Sequence, residues 1–190
     1  MAGIWNPLRG MREQKQRTDL LYNGLMSAAL APEVYAAGVV ADDMDHRVQM
    51  VTLHAALLAW QLPLRESRAL RQLPQLIHTR VFDGFDAALR ETGVGDASIA
   101  RRVRKMGEHY YGLGTAMAKV LSGPEEAWEP GLEELLRRNG VALTGHEGGL
   151  ASHFAALAEA FREAPSEAFL AGKAPWQAYP ATSRRGVAKA

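Results

Sequence analysis

Residues 46–62, HRVQMVTLHAALLAWQL, decide the fold class. Apolar side chains occur on every side of a 3.6-residue turn here, a pattern a helix carries only when neighbours surround it. Thr52, His54 and Gln61 interrupt the run and Pro63 closes it, well short of the roughly 20 apolar residues that span a bilayer. The stretch therefore predicts the central helix of a soluble bundle. Asp42, Asp43 and Asp45 offer N-caps just before it, and Pro63 disfavours helix at the residue it follows.

The flanking sequence has the same helical character, and no β-branched residues alternate with polar ones over a strand's length. An all-α, single-domain bundle of about six to eight helices is expected. A first helix should run from about Thr18 to Ala31-Pro32 with Leu20, Leu21, Leu25 and Leu30 inward, followed by a short helical piece at Glu33 to Ala37. Residues 64–92 read as a short helix broken near Pro74 and a longer one ending at Thr92, with Gly93 as the left-handed residue beyond it. From Ile99 the positions Val103, Met106, Tyr110, Leu113, Met117 and Val120 form one continuous apolar stripe. Arg101, Arg102, Lys105, Glu108 and His109 occupy the opposite face. Asp96 should cap that helix, Pro124 should open the next and Asn139-Gly140 should end it, with a last helix at about Gly149 to Glu163.

The chain of 190 residues is 47% hydrophobic, enough for one core without staples. It has no cysteine, which excludes disulfides, zinc–thiolate sites, iron–sulfur clusters and thiol nucleophiles. The net charge of +1 is unevenly spread: residues 1–17 carry +3, residues 172–190 carry +4, and the body between them is acidic at −6. Residues 1–17 thus read as a basic, interfacial segment, 18–165 as the helical domain, and 166–190 as a disordered basic tail. Basic ends suit an anionic surface, either ribosomal RNA or phospholipid headgroups. No secretory signal is visible at the start, so the protein is expected in the cytoplasm.

Catalytic signatures are weak. His46, His54, His78, His109, His146 and His153 form no metal-binding pair of the HExxH type, no GxSxG elbow occurs, and Gly93-Val94-Gly95-Asp96 lacks the lysine and strand of a phosphate loop. No metal or cofactor is expected. Asp42, Asp43 and Asp45 read as caps, and Asp86 reads as an ion-pair partner of Arg90 four residues on, although Asp83 and Asp86 are also a carboxylate pair. Arg101, Arg102, Arg104 and Lys105 beside Tyr110 and Tyr111 form a modest basic face. His54, inside the apolar helix, should have a depressed pKa; with Tyr110 it could offer a polar contact to a quinone or lipid tail enclosed by the helices. An enzyme would need His54 and a carboxylate to converge in a cleft.

Several blocks together resemble the ubiquinol-cytochrome c chaperone family: Leu21-Tyr22-Asn23; Ala31-Pro32-Glu33-Val34-Tyr35 with Gly38-Val39 and Asp42; Asp45 and Arg47; and Leu53-His54. They continue in order through Phe82-Asp83-Gly84-Phe85-Asp86, LRETGVGD at residues 89–96, Lys105-Met106 and Tyr110-Tyr111-Gly112. The resemblance covers about residues 18–121, with a fainter echo at Leu135 to Asn139. It departs at Trp60, Gln61, Pro63 and Leu113, where the family tends to carry arginines. It implies a non-catalytic assembly factor for respiratory complex III that binds newly made cytochrome b. In mitochondria such a factor works with a small helical partner near the ribosomal tunnel exit. Composition and the lack of a transit peptide fit a bacterial member, placed in the cytoplasm or at the cytoplasmic face of the inner membrane. Within the matching blocks, Asp42, Arg47, Asp83, Asp86, Arg90, Asp96, Lys105 and Tyr111 are the candidate client or partner contacts.

Overall fold

The structure, a computed structural model, describes residues 7–91 and 96–179, with side chains given for 9–91 and 100–179. Secondary structure among the described residues is entirely helical: α1 (Pro7–Ala29), α2 (Pro32–Ala36), α3 (Met44–Gln61), α4 (Arg68–Glu91), α5 (Asp96–Leu121), α6 (Trp128–Arg138), α7 (Glu147–Glu163) and α8 (Ser166–Leu170). Short 3-10 turns lie at Leu62–Leu64 and Glu125–Ala127.

α3 is the centre, packed on α1, α4, α5 and α7. Its apolar residues from Val48 to Leu58 are buried on all sides, as the sequence of that helix requires. Two of the polar side chains it takes inside bond to its own backbone, Thr52 Oγ1 donating to Val48 O at 2.7 Å and His54 Nδ1 to Met50 O at 2.8 Å. Among the candidate caps Asp43 is the one used, accepting from the His46 amide at 2.9 Å.

The outer helices each bury one stripe. On α5, Tyr110, Leu113 and Met117 point inward, while Arg101, Arg102, Lys105, Glu108 and His109 are exposed. On α4, Leu70, Leu73, Ile77, Val81, Phe85 and Leu89 are buried in one register. That register explains why the expected break at Pro74 is absent. The proline sits inside a continuous helix, and the cost of its missing amide, about 3 kcal/mol, is smaller than that of withdrawing the stripe from the core.

Three further expectations are corrected. α1 begins at Pro7 rather than near Thr18, because a proline suits the first helical position and Arg9–Glu13 and Lys15–Asp19 pair at four-residue spacing. Its inward positions are Thr18, Leu21, Leu25 and Ala29; Leu20, expected inside, is 46% exposed because it lies off that stripe. Pro124 is extended, with ψ 146°, and the following α-helix starts four residues later at Trp128. Gly140, at φ +58°, ends α6 as expected. The expected Gly93 terminator lies outside the described residues.

Residues 166–179 correct the expectation of a disordered tail from residue 166. Phe169 of α8 is fully buried, and the extended segment 173–179 lies back across the body. Its few apolar residues are spaced for a groove rather than for a helix face, so periodicity does not reveal them. Trp176 rests against Phe161 (ring centroids 4.7 Å apart) and His54 (5.4 Å), and Tyr179 against His153 (5.2 Å). Residues 180–190 lie outside the described residues.

Candidate client-binding cleft

The start of α3, the end of α4 and the first half of α5 meet at one end of the bundle, where side chains of all three line the same space. A cleft of about 460 Å³ opens there. Met44 and Val48 of α3, Leu89 of α4 and Met106 of α5 supply its apolar surface, while Asp45, Gln49, Arg102, Lys105 and His109 supply polar groups. Gln49 Nε2 donates to Asn139 O at 3.0 Å, holding the α3 rim to the end of α6.

Five of the eight candidate contact residues place a described side chain at this end. Lys105 lines the cleft itself. Asp42 and Arg47 flank the start of α3 in an ion pair at 2.7 Å, which holds the Asp42 carboxyl below its ordinary range. Arg47 also lies over the Tyr35 ring, 5.5 Å from its centroid, and Tyr35 donates its hydroxyl proton to Ala29 O at 2.9 Å. These contacts tie the ends of α1 and α2 to the start of α3. Asp86 and Arg90 pair at 2.7 Å on α4, as their spacing predicts.

The other three candidates differ. Asp83 and Tyr111 are exposed farther along α4 and α5, with Tyr111 stacked on Phe82 at 5.9 Å. Asp96 opens α5, and its side chain lies outside the described residues. Gly84, within the FDGFD block, makes room for α1: a Cβ there would stand 2.7 Å from the Tyr22 hydroxyl.

His54 and Tyr110 are both core residues, 1% and 3% exposed. Burial pushes the His54 pKa down to about 4; Phe154 and Trp176 pack against the ring and Met50 O accepts its Nδ1 proton. Among the described residues no carboxylate is a hydrogen-bond or charge partner of His54. The Tyr110 hydroxyl is buried without a hydrogen-bond partner, and burial raises its pKa. Neither residue lines the cleft at the α3–α5 end. The described residues contain no cluster of metal-ligating side chains. None of the described helices is long and apolar enough to cross a membrane.

Sequence reasoning passed over Met44, Gln49 and Leu89, because each becomes a cleft residue only when α3, α4 and α5 meet. It also passed over Arg65, whose partners lie in α7 and just beyond it. A second, more open recess of about 590 Å³ is lined by Trp60 and Trp128, whose rings meet edge to face at 5.5 Å. Of the other departures from the family pattern, Gln61 and Leu113 are buried in the core.

The basic N-terminal stretch is partly committed within the fold. Arg9 and Lys15 pair with Glu13 and Asp19, and Arg17 donates to Leu170 O at 2.7 Å. By contrast Arg101, Arg102, Arg104 and Lys105 are exposed on α5 and form no ion pair with a described carboxylate.

An all-helical bundle whose terminal cleft combines an apolar floor with cations that pair with no carboxylate among the described residues defines a helical protein with a surface suited to binding. A model described as ubiquinol-cytochrome C chaperone matches residues 37–176, and the chain belongs to the ubiquinol-cytochrome c chaperone family. The chain is also similar to a solved structure, the crystal structure of the Cbp3 homolog from Brucella abortus, at 27% identity and a TM-score of 0.71. That alignment covers 89% of this chain and 93% of the Brucella chain. No curated protein was found to match.

Proposed function

We propose that the chain is a non-catalytic assembly chaperone that binds newly synthesised cytochrome b during biogenesis of the quinol–cytochrome c reductase complex. The observation that carries this reading is the family match over residues 37–176, which makes the chain a chaperone of complex III assembly. Geometry supports the finer claim. The cleft exposes methionine and other apolar side chains, the chemistry a transmembrane segment meets before it reaches lipid, and methionine adapts to varied apolar shapes.

Client contact is assigned to the cleft end, through Asp42, Arg47, Asp86, Arg90, Asp96 and Lys105, with Asp83 and Tyr111 extending it along α4 and α5. Residues 18–165 form the chaperone domain, joined by α8 and by the extended strap at residues 173–179. The basic ends are proposed to hold it beside ribosome or membrane at the cytoplasmic face of the inner membrane, and a small helical protein is the proposed partner.

The test is affinity purification of the tagged chain from crosslinked cells solubilised in mild detergent. Cytochrome b should be recovered, with crosslinks at the cleft end. Recovery of lipid or quinone without a protein partner would replace this reading with a small-molecule module.

A further inference from the structure

We infer that the cleft between α3, α4 and α5 docks an apolar helical segment that carries a carboxylate, with the carboxylate set against Arg102 and Lys105. The inference deepens the proposed function and rests on it for the source of the segment, a membrane-protein client.

Three observations support it. First, the floor is apolar and adaptable: Met44 is 40% exposed, Met106 is half-buried, and Val48 and Leu89 close the base. Such a surface accepts the side chains of one helical face at i, i+3 and i+4. Second, the cations at its α5 rim are unmet. Arg9, Lys15, Arg47, Arg80, Arg90, Arg137 and Arg162 are each paired with a carboxylate, while other cations such as Arg68, Lys119 and Arg138 are, like those at the rim, without one among the described residues. Arg102 and Lys105 have no such partner among the described residues, and both line the cleft.

Third, the Oε1 of Gln49 is buried without a hydrogen-bond partner. The bond from its amide nitrogen to Asn139 O fixes which atom is the carbonyl, so the orphan is an acceptor. Leaving such an acceptor unmet is costly; the atom is closed to water, so an occupant's N–H or O–H meets it once the Gln49 side chain turns toward the cleft.

Charge layout also selects the class of occupant. Asp45 of α3 lines the same cleft as the cations of α5. A phosphate backbone or an anionic headgroup entering the cleft would meet that carboxylate. A peptide can place an acid on one side and a donor on the other.

The test uses the full chain and three fluorescent amphipathic helical peptides that differ only in carrying Glu, Gln or Lys one turn from a shared apolar face. The Glu peptide should bind about tenfold more tightly than the Gln peptide, with the Lys peptide weakest, and added salt should narrow the difference. R102Q/K105Q should abolish the preference and R101Q/R104Q should keep it, circular dichroism confirming that both variants fold. Equal binding of the three peptides, or a preference that survives R102Q/K105Q, would overturn the inference. So would loss of binding to phosphatidylglycerol vesicles in R102Q/K105Q without any peptide preference, since the cations would then belong to a lipid contact. Cytochrome b crosslinking separates the two claims: crosslinks without a Glu preference remove only this inference, and a Glu preference without crosslinks removes the cytochrome b reading.

Discussion

Arg65 Nη2 donates to the carbonyl of Phe161 at 2.6 Å, tying the turn after α3 to the end of α7. Its Nη1 donates to Ala164 O at 2.8 Å, and the guanidinium lies 5.1 Å from the Phe169 ring centroid. One cation thus meets carbonyls that α7 leaves open at its end and braces α8. Arg65→Ala should lower the unfolding free energy by about 2–3 kcal/mol in urea titrations, with Arg65→Lys recovering only part of it. A change below about 0.5 kcal/mol would show that water replaces these bonds without loss.

Acid should destabilise the fold through two histidines. Burial lowers both His54 and His153 to about 4 from an ordinary value of 6.5. As pH falls from 6.5 toward 4, the unfolded chain takes up these protons and the folded chain does not. The associated stability is therefore complete above the unfolded value and is lost across that window. The total is roughly 3 kcal/mol per buried imidazole. Chemical denaturation at pH 7.5, 6 and 5 should show the decline, and His54→Gln should flatten its slope. An unchanged slope in that variant would contradict the assignment to His54.

Tyr110→Phe should be neutral or slightly stabilising, because the hydroxyl it removes is buried without a partner. The ring's edge-to-face contacts with His78 and Phe82, both at 5.2 Å, survive the change. Urea midpoints of the two proteins decide it, and a loss above about 1 kcal/mol would mean that the hydroxyl is hydrogen-bonded in solution.

The architecture was largely legible because periodicity is a local signal. The all-round apolar character of residues 46–62 placed α3 at the centre, and the stripe from Val103 to Val120 oriented α5. Pro74 misled because a local rule was overruled by six buried apolar residues on one helix, which only the assembled core makes visible. The Asp86–Arg90 pair was readable from spacing. The cleft was only partly so: Lys105 belongs to a family block, whereas the Gln49 side chain is oriented by Asn139, 90 residues away, which takes its amide. Trp176 and Tyr179 were invisible for a related reason, since an extended strap has no period and its partners lie on α3 and α7.

That strap should contribute measurably to stability. Trp176→Ala removes a ring packed on Phe161 and His54, and should cost about 2 kcal/mol, less than a fully buried tryptophan would. It should also admit water to His54 and reduce the acid sensitivity described above. Denaturant titrations at pH 7.5 and 5 would show both effects, and loss of stability with unchanged acid sensitivity would detach the strap from the histidine.

The most direct test of the central claim is site-specific photocrosslinking from position 106, on the cleft floor, in cells making the quinol–cytochrome c reductase complex. The account predicts an adduct with newly synthesised cytochrome b and, when the gene is deleted, less assembled complex at unchanged mRNA. No adduct from the cleft floor, together with normal complex levels in the deletion strain, would contradict it.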